Sequence, residues 1–135
     1  MKTTVCQLPD DPKEFKEAWK RLAGHVQKER SELVLLPEMP FYPWVAQSKK
    51  GNPETWKKAV EAHDRWQERF TDLAPATVLG SRPVIRNGRH FNEGFIAGPD
   101  GQVLGVTTTE NPFITKILDL SEAEKAKKTY PRYVF

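Results

Sequence analysis

Residues 32–41 read ELVLLPEMPF, and this stretch sets the architecture. Glu32 to Leu36 is a continuous apolar run of strand length, which suits a strand buried on both faces. Upstream, Asp11 is a good helix N-cap, with Pro12 at the first helical position and Glu14 three residues after the cap. Phe15, Trp19, Leu22 and Val26 follow at spacings of four, three and four, which puts them on one helix face. Before the helix, Thr3 to Leu8 (TTVCQL) reads as a short buried strand broken by Pro9-Asp10-Asp11. Strand, amphipathic helix and buried strand in this order predict a βαβ unit with parallel strands.

Downstream of Leu36 the character changes. Pro37 to Asn52 holds Pro37, Pro40 and Pro43, which argues against helix or central strand. Asn52 and Pro53 open a second helix, and Ala59, His63, Trp66, Phe70 and Leu73 continue it at helical spacing. Thr77 to Ile85 is a strand and His90 to Ala97 its return. The Asn87-Gly88 pair between them suits a type I′ turn, whose two central residues need positive φ. Pro99-Asp100-Gly101 turns the chain into Gln102 to Val106. Phe113 to Leu120 alternates as a strand would, and Ser121 with Glu124 forms a capping box for a short last helix.

Composition bounds the function. The 135 residues, 15.5 kDa, predict one domain over 1–135. Hydrophobic residues make up 38%, with 7 Phe, 4 Trp and 3 Tyr, enough for a core and against disorder. No apolar run approaches the roughly 18 residues that span a bilayer, and no signal peptide is visible. The single cysteine, Cys6, excludes an intrachain disulfide and a cysteine-cluster metal site, so cytoplasmic residence is the expectation. The net charge is +3, and two of those charges lie in the tail after Leu120. A basic patch for nucleic acid is therefore not expected. His25, His63 and His90 fall on separate elements, so no metal is expected, and the glycines form no phosphate-cradling loop, so no cofactor is expected.

Glu38 is the candidate catalytic residue. It lies two residues past a buried parallel strand, and ligands in α/β sheets bind outside the carboxyl ends of strands. Phe41, Tyr42 and Trp44 could wall a substrate pocket around it, and a carboxylate desolvated among aromatic rings suits proton transfer near neutral pH. The alternative is a solvent-exposed loop glutamate. Cys6, inside the first strand and level with Val34 or Leu35, would leave Glu38 roughly 10 Å farther along at about 3.3 Å per residue. That reads as a small buried hydrophobe rather than a nucleophile. His63 reads as a helix-face residue with a polar tip.

These pieces resemble the carbon–nitrogen hydrolase (nitrilase) superfamily. TTVCQLP resembles its first strand, ELVLLPEMPF its strand and "PE" motif, and TVLGSRPV with GRHFNEGFIAGPDGQVLG its hairpin ending in "PDG". The resemblance implies that Glu38 is the general base of a Glu–Lys–Cys triad acting on amides or nitriles. The place of the family lysine holds Val106-Thr107-Thr108-Thr109-Glu110, and the later cysteine elbow has no counterpart. PFITKILDLSEAEKAKKTYPRYV instead resembles the family's C-terminal end, so the N-terminal part joins the last part directly. The implied fold is α/β, one sheet plus helix layer of an α/β/β/α sandwich. With only Glu38 of the triad, the chain is expected to be inactive alone. The bare sheet face predicts self-association as a symmetric homodimer, a rearranged loop or tail over it being the alternative. A non-catalytic binding or assembly module using that face is the competing function, with a small amide or nitrile as a possible ligand.

Overall fold

The structure, a computed structural model, describes residues 1–43 and 51–121. Five strands, β1 (Thr3–Val5), β2 (Leu33–Leu35), β3 (Thr77–Arg86), β4 (Arg89–Ala97) and β5 (Val103–Val106), form one sheet in sequential order. β1, β2 and β3 are parallel, and β3, β4 and β5 are antiparallel. Helix α1 (Pro12–Glu29) connects β1 to β2, and α2 (Pro53–Gln67) lies between β2 and β3. The βαβ reading of the N-terminal third is the observed arrangement.

Two parallel connections that advance in the same direction, each right-handed, lay their helices on the same face. Among the described residues the helices α1 and α2 leave the other face uncovered. Exposure follows this topology. Thr4, Val34, Val78 and Ala97 align across the sheet and are buried under the helices. One residue on, Val5, Leu35, Leu79 and Ile96 align in the next row, and Val5 and Leu35 are 71% and 46% exposed.

The core between sheet and helices is aromatic. Phe15, Trp19 and Phe41 meet Trp66 edge-on or stacked, Phe41 abuts Phe70, and Phe70 stacks on Phe95 at 5.5 Å. The α1 face read from the sequence is the buried one: Phe15, Trp19, Leu22 and Val26. Asp11 caps α1, accepting from the Lys13 and Glu14 amides at 3.0 Å. The hairpin turn has the expected conformation, with Asn87 at φ 49° and Gly88 at φ 71°. Beneath the helices, Glu93 is buried and pairs with Arg82 at 2.8 Å and with Arg86, while Arg82 also donates to the Gln67 amide oxygen.

Several expectations are corrected. β1 stops at Val5, so Cys6 follows the strand instead of lying in it, one residue beyond the expected level. The second helix ends at Gln67, and Phe70 and Leu73 sit on a separate 3-10 turn (Phe70–Leu73), which turns both side chains into the core. Phe113 to Leu120 forms no strand: no neighbouring edge is hydrogen-bonded to it among the described residues. The last helix lies mostly outside the described residues, with only Ser121 inside them.

Candidate functional site

The hairpin of β3 and β4 is longer than its parallel neighbour. β2 pairs only with Thr77–Leu79, so residues 80–86 and 89–95 project past its carboxyl end as a shelf. The Leu36 amide makes the last bond to this edge, donating to the Leu79 carbonyl at 2.9 Å. Pro37 cannot donate, and the chain from Pro37 to Tyr42 bends across the shelf.

Three elements fix this loop. The Asn92 side-chain amide donates to Glu38 Oε1 at 3.0 Å, orienting the carboxylate. The Met39 amide donates to Ser81 Oγ at 3.3 Å, and Met39 holds φ 41°, a left-handed conformation uncommon outside glycine. The Phe41 amide donates to His63 Nε2 at 3.3 Å, while His63 Nδ1 lies 2.7 Å from the Ala59 carbonyl, which only accepts. His63 is therefore a neutral imidazole protonated at Nδ1. Burial pushes its pKa below the ordinary histidine value, partly offset by the Ala59 bond and Asp64. It lies on the buried face of α2, as its spacing suggested, and its polar tip anchors the loop.

Glu38 is at the rim of the parallel strands, as expected, but it is exposed, and among the described residues only Tyr42 of the expected aromatic wall lies beside it. Phe41 turns into the core, edge-on to Phe15 and stacked on Trp66. Tyr42, half-buried, does share a shallow depression of about 270 Å³ with Glu38, Leu8, Asp10, Pro37, Met39 and Pro40. Trp44 lies outside the described residues. Phe41 does not join the wall because the apolar gain of burying it is realised in the core, where a neutral histidine also satisfies its backbone.

Cys6 does not complete a dyad. Its thiol donates to the Leu35 carbonyl at 3.6 Å, and burial pushes its pKa up, away from the reactive thiolate. Among the described residues no three His, Cys, Asp or Glu side chains could hold a metal ion, and no helix is long and apolar enough to cross a membrane. A wider groove of about 880 Å³ beside Gln7 to Pro9 is lined by Lys13, Glu14, Glu17 and Arg21 of α1. Those side chains lie on the exposed side of the helix and bring no reactive set together. Asn92 and Ser81 were not singled out in the sequence. The only hint was that Asn92 and Glu93 put a polar group on each face of one strand.

No protein-family profile and no curated protein sequence matches this chain. Solved structures do resemble it. A carbon–nitrogen hydrolase from Helicobacter pylori G27 is 24% identical with a TM-score of 0.63, over 77% of this chain and 37% of that one. An amidase from Nesterenkonia sp. is 17% identical with a TM-score of 0.55, over 87% and 49%. A glutamine-dependent NAD(+) synthetase from Cytophaga hutchinsonii is 18% identical with a TM-score of 0.55, over 77% and 17%. This chain thus spans less than half the length of each. With helices on one face of a mixed five-stranded sheet, it carries the α/β fold of the nitrilase-type carbon–nitrogen hydrolases.

Proposed function

We propose that this chain is the acid-bearing part of a nitrilase-type hydrolase site for amides or nitriles, and that it is inert toward them on its own. The observation that carries the reading is Glu38, held by Asn92 at the carboxyl rim of the parallel strands. A catalytic carboxylate there would take the proton of an attacking thiol, and an ammonium group would stabilise the tetrahedral oxyanion. The proton would pass to the amide nitrogen as the C–N bond breaks and ammonia leaves, and water would then cleave the acyl thioester to the acid and the free thiol. The Nesterenkonia amidase supports the nucleophile of such a site, since a variant of it carries the acetamide moiety of fluoroacetamide added covalently at its active-site cysteine. In this chain the single thiol is bonded to Leu35 and held as a thiol. Loss of the nucleophile from a serine protease triad costs on the order of 10⁶ in rate, and a loss of similar order is expected here. The depression beside Glu38, about 270 Å³, suits only a small amide or nitrile. The proposal includes cytoplasmic residence and no cofactor.

The test is turnover of short aliphatic amides and nitriles by the purified, metal-free chain. The expected rate is indistinguishable from the buffer rate and unchanged by Glu38→Ala. Turnover that disappears in Glu38→Ala overturns the inert reading.

A second reading rests on the row Val5, Leu35, Leu79 and Ile96. An assembly module would use this bare sheet face to form a homodimer, closing a two-sheet sandwich from two copies. Leu35→Glu is expected to abolish such a dimer.

A further inference from the structure

From Phe113 to Leu118 the chain belongs to no helix or sheet, and these residues make no hydrogen bond with the described residues. Ile114 and Lys116, two residues apart, both lie over Gly105, which is the side-chain alternation of an extended chain. The segment lies over the open face of β5. A Cβ on Gly105 would fall 3.1 Å from Ile114 Cδ1 and 2.9 Å from Lys116 Cε, so the segment packs closely on this strand. Ile114 and Leu118 are half-buried, while Phe113 and Ile117 on the other side are 90% and 100% exposed. An extended segment with one side seated, the other apolar and exposed, and its amides without a partner among the described residues is a template for strand addition.

We propose that residues 112–118 pair antiparallel with the same residues of a second copy, about a twofold axis through Thr115. The sequence singles out this register. With the axis at Thr115, Phe113 faces the partner's Ile117 twice, Thr115 faces its own equivalent, and Lys116 lies beside the partner's Ile114. Aromatic with β-branched and threonine with threonine are favourable cross-strand pairs. An axis at Lys116 would oppose two ammonium groups, one at Ile117 or Ile114 leaves Phe113 without an apolar mate, and one at Phe113 puts Pro112, which has no amide to donate, beside the centre of the ladder. The pairing is isologous, so it closes at two copies. It deepens the assembly reading by naming the segment that joins the copies.

Sedimentation and cysteine cross-linking test it. At concentrations on the order of 100 µM the full chain is expected to form dimers. Thr115→Glu, which places two carboxylates face to face on an exposed position, is expected to weaken the dimer about tenfold. Thr109→Glu, exposed but outside the segment, is expected to leave it unchanged. In a Cys6→Ala background, Thr115→Cys should form an intermolecular disulfide on mild oxidation, because opposed Cβ atoms lie about 4.5–5.5 Å apart. Ile117→Cys alone should not, whereas Phe113→Cys with Ile117→Cys should. A dimer insensitive to Thr115→Glu, or cross-linking no better at Thr115 than at Ile117, overturns the strand pairing. If that dimer is lost in Leu35→Glu, the sheet-face reading stands without it, and a monomer under these conditions removes both.

Discussion

Glu93→Ala tests the largest electrostatic commitment in the fold. Glu93 is 1% exposed as a side chain, and it accepts from Arg82 Nε at 2.9 Å while pairing with Arg82 and Arg86. Arg82 also sits over the Phe95 ring and donates to Gln67, so it is fixed from several sides, and burial lowers the pKa of its guanidinium. Removing one partner of a buried ion pair costs about 3–5 kcal/mol, because the other charge stays desolvated. Arg82 and Arg86 keep 19% and 39% of their side-chain exposure, so both regain some hydration when the carboxylate is gone. The expected loss is therefore about 2–3 kcal/mol. For a domain of this size that lowers Tm by about 6–12 °C. Urea denaturation read by tryptophan fluorescence measures it, since Trp19 lies in the core. A double-mutant cycle with Arg82→Ala should show coupling of at least about 1 kcal/mol. A loss under about 0.5 kcal/mol, or no coupling, would mean that attraction and desolvation cancel at this pair and that the network does not hold the hairpin.

Two further outcomes follow from the loop and the turn. His63 is held neutral in the fold, so its pKa is depressed relative to the unfolded chain. The unfolded state then binds the extra proton first, and stability falls as pH drops below about 6.5, levelling off once the lowered folded value is passed. His63→Gln should flatten that part of the profile, and an unchanged slope between pH 7 and 5 would exclude the neutral anchor. Gly88→Ala should destabilise by about 1–2 kcal/mol in the same denaturation assay, because alanine at φ 71° carries the left-handed penalty. An unaffected variant would mean that the turn can leave the I′ geometry at no cost.

The elements that depend on near neighbours were legible. Asp11 with Pro12 announced α1, the four-three-four spacing of Phe15, Trp19, Leu22 and Val26 gave its buried face, and Asn87-Gly88 gave the hairpin. What misled was reach. Phe41, Tyr42 and Trp44 looked like a wall for Glu38 because they are adjacent in the chain. Only the path of the loop over the shelf shows that Phe41 turns away from it while Tyr42 stays. The alternation in Phe113 to Leu120 likewise describes a strand-competent segment, but a strand exists only where an edge accepts it, and none does among the described residues. Ser81, Asn92 and His63 anchor the site from three elements up to 54 residues away from their partners, separations at which sequence spacing carries no signal.

The sequence by itself determined the order and kind of the elements and the placing of Glu38 just past a parallel strand. Those follow from local propensity, capping and periodicity, which act over a few residues. The tertiary structure decided which side chains surround that acid, where the one thiol points, and that the helices among the described residues cover one face of the sheet. Those follow from crossover handedness and strand register, which bring together residues that no local pattern relates.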